Sequence, residues 1–259
     1  MKLGIVIPLK SKRVSRNWKT TKDSLHRTLN SIENQVCRNF CVAVVGHEVP
    51  EDLVKIFPDV IFESINLPVP NRKDPDFSHR TLLIDKGLKI VKGFQILQKH
   101  DVDYWFQLDS DDLLRDDFVE TLQLVVGKSG GIIQGGYFMY FKQNKVIPTE
   151  EMVLHSGSTF IMAARHVKIP TETDLQEQHM KCSPLGRYPH MTIADYFAKE
   201  VKEDYVVFKK PILGYVLASG DNISDVWRDT SLKKIRSILK PYIKGQRFTK
   251  TLKKRFGVT

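Results

Sequence analysis

The first 112 residues alternate short apolar runs with stretches of helical period, and this alternation constrains the fold more than any other feature. Lys2 to Leu9 holds the contiguous β-branched run Ile5-Val6-Ile7, which reads as a strand covered on both faces. A polar, basic loop runs from Lys10 to Lys19. Thr20-Thr21-Lys22-Asp23 reads as a helix start, with a Thr cap and an acid in the first turn. Leu25, Leu29, Ile32 and Val36 then mark one helical face. Cys41 to Val45 is the next apolar run and ends at Gly46-His47-Glu48. A β-α-β order implies a parallel pair joined by a crossover helix. Val60-Ile61-Phe62 reads as a third strand, Arg80 to Lys99 as a helix, and Asp103 to Leu108 as a fourth strand. Phe118, Leu122 and Val125 mark a further short helix.

Past Gly130-Gly131 the pattern changes to short strands between polar turns: Ile132-Ile133, Tyr137 to Phe141, Thr159 to Ala163, Tyr205 to Phe208 and Ile212 to Leu217. Pro189 to Lys202 has Ala194, Phe197 and Val201 on one face and reads as a helix. The expected class is therefore α/β, with a mixed, mostly parallel sheet flanked by helices. No run of about 18 apolar residues is present to span a bilayer. The apolar stretch near the N-terminus stops at Pro8, too short for a signal peptide, so the cytoplasm is the expected location. Cys37, Cys41 and Cys182 lack C-x-x-C spacing and read as reduced thiols.

The net charge is +10, and its placement matters more than its size. From Arg228 onward there are eleven Lys or Arg and one acid, so the whole excess sits in a tail while the body is balanced. Ser231 to Lys240 places Leu232, Ile235, Ile238 and Leu239 at helical spacing; Pro241 is expected to interrupt it, and a second basic stretch ends at Lys253-Lys254-Arg255. Such a basic amphipathic segment suits peripheral contact with an anionic membrane, or a helix docked on the body with Leu and Ile inward. Nucleic-acid binding is disfavoured, because the body is neutral and no recognised motif accompanies the tail.

Asp109-Ser110-Asp111-Asp112 lies at the C-terminal end of the fourth strand, the edge where open α/β sheets bind ligands. On a strand, residues i and i+2 point the same way, so Asp109 and Asp111 would face one site. Two ionised carboxylates side by side repel. A bound Mn²⁺ or Mg²⁺ resolves this, because it takes hard oxygen ligands and leaves positions for phosphate oxygens. The bland alternative is that Asp111 and Asp112 cap a helix at Leu113.

The segment Tyr104 to Asp112 resembles the Asp-x-Asp signature of GT-A glycosyltransferases, especially family 2-like enzymes. Val6-Ile7-Pro8 and Asp85-Lys86-Gly87 are also similar to family sequences, and the likeness covers roughly residues 3 to 225. It implies a GT-A domain over residues 1–227, with a nucleotide-sugar half (1–112) and an acceptor half (113–227), and a basic helical tail over 228–259. It further implies transfer of a sugar, with inversion, from a nucleotide diphosphate sugar to a hydroxyl of a glycan or lipid-linked acceptor. Uridine diphosphate is the implied carrier. Asp111 would bind the metal directly and Asp109 would share it while contacting the ribose, with Ser110 beside the donor. Pro8, Lys10, His47 and Glu48 would lie by the base and ribose, although family members often carry Asp where Gly46-His47-Glu48 stands. Arg80 and Lys86 would neutralise the diphosphate. Gly157 and Ser158, in Ser156-Gly157-Ser158-Thr159, would lie beneath the donor sugar, where small residues allow close approach. Asp195 would be the catalytic base, in a segment with Ala194 where the family has Glu; Glu177 is the fallback. The family's late metal-binding His is replaced by Ser219, with Asp221 or a water as its substitute.

Two other classes remain open at this level. A nucleotidyltransferase would carry a Gly-rich basic loop after the first strand, where Leu9-Lys10-Ser11-Lys12-Arg13 is basic without glycine. A non-catalytic sugar- or membrane-surface-binding protein could keep the same scaffold.

Overall fold

The computed structural model describes residues 1–217 and 239–258. The chain runs β1 (Leu3–Pro8), α1 (Trp18–Glu33), β2 (Phe40–Gly46), α2 (Glu51–Ile56), β3 (Val60–Ser64), α3 (His79–Leu97), β4 (Tyr104–Gln107), β5 (Asp112–Leu114) and α4 (Phe118–Thr121). It continues through β6 (Gly130–Ile133), β7 (Gly136–Tyr140), β8 (Lys145–Thr149), β9 (Phe160–Ala163), α5 (Ile193–Tyr196), β10 (Val206–Phe208), β11 (Leu213–Val216), β12 (Gln246–Arg247) and α6 (Lys250–Arg255).

Seven strands form the main sheet in the order β10-β6-β9-β4-β1-β2-β3. β9 runs antiparallel between β4 and β6, and the remaining pairs are parallel. This is the mixed, mostly parallel sheet expected of the sequence, with helices on both faces. Alternation along β1 explains the layering. Leu3, Ile5 and Ile7 pack with Leu25, Leu29 and Ile32 of α1 on one face. Val6 packs with Ile90, Phe94 and Leu97 of α3 on the other.

The N-terminus of α1 lies earlier than expected. Asn17, not Thr20, is the cap; its side chain accepts from Thr20 N at 3.2 Å, and the helix starts at Trp18. Ser78 caps α3: its hydroxyl accepts from Thr81 N, and its own N–H donates to Thr81 Oγ1, which completes a capping box.

A second sheet, in the order β12-β8-β7-β11-β5, packs beside the first; only its β7–β11 pair is parallel. β5 and β8 were not expected. β5 has only three residues and starts at Asp112, where a helix cap was the alternative reading. β8 contains Pro148, which pairs with Tyr137 of β7 on one side and is tolerated because β12, on the other, reaches only Lys145 and Val146. The helix expected over Pro189–Lys202 is broken into a 3₁₀ turn at His190–Thr192, α5, and a π turn at Phe197–Val201.

Residues 239–244, which include Pro241, are helical, and the preceding part of the stretch Ser231–Lys240 lies outside the described residues. The tail then docks: β12 pairs with β8, and Phe248 and Phe256 are buried with Leu113, Met139, Val146 and Val216. The domain boundary at 227/228, the Ser219–Ser224 segment with Asp221, and residues 228–238 of the tail lie outside the described residues. Among the described residues, no helix is long and apolar enough to cross a membrane.

Candidate functional site

The candidate residues gather at the C-terminal edge of β1, β2 and β4, the ligand edge of a parallel sheet. Phe106 and Leu108 pack on the α1 face of β4, and Trp105 packs on the α3 face. Alternation sets Gln107 in the Trp105 row, with Asp109 next in that row. Asp109 meets Lys86 of α3, Nζ to Oδ1, at 2.5 Å. A turn follows, closed by Asp112 N donating to Asp109 O at 3.0 Å, so Ser110 and Asp111 lie on a turn and not on a continuing strand.

The turn still keeps Asp111 within range of Asp109. Burial and Asp109 push the Asp111 carboxyl up to about 6, against the pull of Lys10 and Lys86. From the other side, α1 presents Arg27, whose guanidinium lies 5.6 Å from the centroid of the Phe141 ring and donates to Ser24 Oγ at 3.0 Å. Burial works against the charge on Arg27, and Asp23 and Asp111 offset this. Asp109 is therefore ion-paired with Lys86, and Asp111 is within electrostatic range of Lys10, Lys86 and Arg27, the last of which was missed by the sequence reading.

Asp112 has a different environment. Its side chain is 0% exposed, and its Oδ2 accepts from Ser156 Oγ at 2.7 Å and from Ser158 Oγ at 2.6 Å. Ser158 Oγ accepts in turn from Asp109 N at 2.8 Å. Burial, Asp111 and Asp109 hold the Asp112 carboxyl well above the ordinary carboxylate range. This clamp brings Gly157 against the Lys86–Asp109 pair. A Cβ on Gly157 would lie 3.2 Å from Lys86 Nζ, 3.3 Å from Gln107 Nε2 and 3.5 Å from Asp109 Oδ2. Asp112, Ser156 and Gln107 are thus site neighbours not assigned from sequence; the paired serines flanking Gly157 were the available signal.

At the ends of β1 and β2, a buried network joins the strands to α3. His47 Nε2 meets Asp85 Oδ1 at 2.6 Å, and Lys89 Nζ reaches Asp85 Oδ2 at 2.6 Å and Leu9 O at 2.9 Å. Burial would raise the Asp85 carboxyl, but the bonds from His47 and Lys89 outweigh it and lower it. Pro8 is buried at the end of β1 opposite Val45, and Glu48 accepts from Lys12 N at 3.0 Å. His47, Glu48 and Pro8 thus lie at the sheet edge to which the neighbouring β4 also leads, and Lys10 is close enough to act electrostatically on Asp111.

Two assigned residues sit further out. Arg80, 74% exposed at the start of α3, pairs with Glu177. Asp195, 48% exposed, accepts from Lys199 at 2.9 Å within α5 and the turn after it.

The donor chemistry fits a divalent cation. Asp109 and Asp111 supply two crowded hard oxygen donors, and Mg²⁺-type sites in nucleotide enzymes use one or two carboxylates plus phosphate oxygens. Among the described residues no group of three His, Cys, Asp or Glu side chains could enclose an ion unaided. Such a cation would need oxygens from a ligand.

No family model matches this chain, and no curated protein matches it. Solved structures do. The crystal structure of S. aureus TarS 1-349 matches at 12% identity and a TM-score of 0.48, over 83% of this chain and 60% of that one. The crystal structure of S. aureus TarS matches at 14% identity and a TM-score of 0.45, over 93% of this chain and 40% of that one. The crystal structure of 4-diphosphocytidyl-2C-methyl-D-erythritol synthase matches at 11% identity and a TM-score of 0.44, over 92% of this chain and 98% of that one. The chain thus spans less than two thirds of each TarS structure.

Proposed function

We propose that this protein is a glycosyltransferase that moves a sugar from a nucleotide diphosphate sugar, with uridine as the favoured base, to a hydroxyl of a glycan or lipid-linked acceptor. The observation that carries this reading is the Asp109–Lys86 ion pair at the ligand edge of the sheet, with Asp111 in the turn that follows and cations within electrostatic range of it. Acids and cations interleaved in this way suit a diphosphate held with a divalent ion.

Asp111 and Asp109 are the residues to hold Mn²⁺ or Mg²⁺, which would stabilise negative charge on the departing diphosphate. Lys86, which pairs with Asp109, would be the nearest cation to donate to a phosphate oxygen of the donor. Lys10 and Arg27 neutralise the same group from the β1 and α1 sides. Gly157 lets the loop after Ser156 approach the donor, and His47 and Glu48 stand where the base and ribose would lie. On the acceptor side, the hydroxyl oxygen attacks the anomeric carbon, the bond to the diphosphate oxygen breaks, and the hydroxyl proton passes to a carboxylate. Asp195 is the residue assigned to that step, and it must part from Lys199 to accept the proton.

The test is release of free nucleoside diphosphate from a panel of nucleotide sugars with Mn²⁺ present. Asp111→Ala should lower metal-stimulated turnover by at least about 10²-fold, the scale of one lost electrostatic contact in such a site, with an unchanged circular dichroism spectrum. Full turnover in that variant refutes the assignment. Pyrophosphate released from a nucleoside triphosphate would instead assign nucleotidyl transfer.

A further inference from the structure

The helical residues 239–244 present an apolar face that nothing among the described residues covers. Tyr242 and Ile243 follow Leu239 by three and four positions, which places all three on one side of the helix. They are 61%, 77% and 47% exposed, in that order. Pro241 lies on the opposite side and is buried, and its carbonyl accepts from Gly245 N at 3.0 Å. Lys145 Nζ donates to Gly245 O at 3.3 Å, β12 then pairs with β8, and Phe248 N donates to Asn144 O at 3.0 Å. The segment is thus stitched to the second sheet, and its apolar face cannot turn inward without undoing those contacts.

The charge around this face has one sign. Residues 239–258 hold seven Lys or Arg and no acid. Arg255 is engaged by Asp116 and Asp117, and Lys240 Nζ lies 4.8 Å from the centroid of the Phe138 ring. Lys244 and Arg247 directly follow the apolar face, are exposed, and make no ion pair among the described residues. Apolar tips beside unpaired cations select the partner. A nucleic acid would use the cations and leave Ile243 in water. A second copy of the chain would set like charges against each other. An anionic lipid surface uses both: its phosphates meet the cations, aliphatic side chains enter the boundary of headgroups and acyl chains, and a tyrosine ring sits at headgroup level.

We propose that residues 239–247 form a docking surface for an anionic phospholipid membrane. Leu239, Tyr242 and Ile243 enter the interface, and Lys244 and Arg247 meet lipid phosphates. The surface is mounted close to the candidate site: Phe248 lies 5.7 Å from Phe141 between ring centroids, and Arg27 lies 5.6 Å from the centroid of that same Phe141 ring. The assignment concerns a partner of the protein and does not depend on the donor reading.

The test floats the full chain with vesicles of phosphatidylcholine alone and of phosphatidylcholine mixed with phosphatidylglycerol, at low and high salt. Wild type should float with the anionic vesicles only, and less at high salt. Ile243→Ser should weaken binding about tenfold through lost apolar insertion. The pair Lys244→Gln/Arg247→Gln should weaken it about 25-fold, at about fivefold per cation. Both variants change exposed side chains, so their thermal midpoints should match wild type. Val207→Ser, at an exposed apolar position on β10, should leave binding unchanged. Wild type that stays off anionic vesicles, or that floats equally with both kinds, overturns the proposal. Binding that survives both variants places the contact elsewhere on the chain and overturns it too. A loss in the charge pair with none in Ile243→Ser leaves a purely ionic surface, of the kind a nucleic acid takes, and also overturns it. Dimers in sedimentation that Ile243→Ser breaks would assign the face to a second copy instead.

Discussion

Asp112 sits one residue from Asp111 yet has a different task. Asp111 is within electrostatic range of Lys10, Lys86 and Arg27, whereas Asp112 is enclosed and held by two serine hydroxyls from the loop at 156–158. A buried carboxyl without a cation is costly and shifts toward its neutral form. The return is geometric: Ser158, fixed by Asp112, also takes the Asp109 N–H, so the loop and the turn hold one another in place. Asp112→Ala should therefore destabilise the protein by about 2–3 kcal/mol through a void and two unsatisfied hydroxyls. Asp112→Asn, which keeps an oxygen for the serines, should lose less. Urea denaturation of the two variants checks this, and an Asp112→Ala protein as stable as wild type would remove the clamp. The Asp cluster was legible as a site from its place after an apolar strand. The division of labour within it was not, because it depends on Ser156 and Ser158, more than forty residues away.

At the scale of elements, α3 carries both the Lys86 arm and a close packing seam on β1. A Cβ at Gly93 would lie 2.2 Å from Val6 Cγ1 and 2.9 Å from Val6 Cγ2. Val6 is β-branched and stiff at χ1, so it has little room to yield. Gly93→Ala should cost about 1–3 kcal/mol through overpacking, more than the roughly 1 kcal/mol that Ala adds to a helix interior. Adding Val6→Ala should recover part of that loss, and a Gly93→Ala protein at least as stable as wild type would show that the seam relaxes freely. The elements legible in sequence were those whose own residues repeat the pattern of both neighbours, such as β1, α1, α3 and β4. β5 and β8 escaped notice because distant partners define them: Leu213–Tyr215 pairs with β5, and β8 tolerates Pro148 because β12 stops short of it. The stretch from His190 to Val201 has helical apolar spacing, yet it breaks into three kinds of turn, and periodicity alone does not distinguish these from one helix.

At the scale of the whole molecule, the two sheets and the tail meet at Asp117. Its carboxylate takes Arg115 Nε at 2.5 Å from the end of β5 and Lys210 Nζ at 3.0 Å from the strand edge after β10. Arg255 of α6 approaches at 3.0 Å. Burial acts to raise the Asp117 carboxyl, but the bonds from Arg115 and Lys210 and the nearby charge of Arg255 win, holding it well below its ordinary 3.8. A depressed folded value means that folding releases this proton more readily than the unfolded chain does. The ionised carboxylate therefore contributes stability that is fully present above the ordinary value of 3.8 and is lost as pH falls below it. Asp117→Asn should be less stable than wild type at neutral pH by on the order of 2 kcal/mol, the value of hydrogen bonds to a charged group. The gap should close as the pH is taken below that ordinary value, because wild type then loses the same interactions by protonation. Thermal unfolding of both proteins across an acid series measures this, and a gap that persists unchanged at the acid end would mean that Asp117 acts through packing and not through charge. The same junction anchors the described end of the basic tail, since Arg255 also meets Asp116 at 2.7 Å while Phe256 fills the core beside it. Part of the positive charge that the sequence concentrates in the tail is thus engaged in holding the tail to the body.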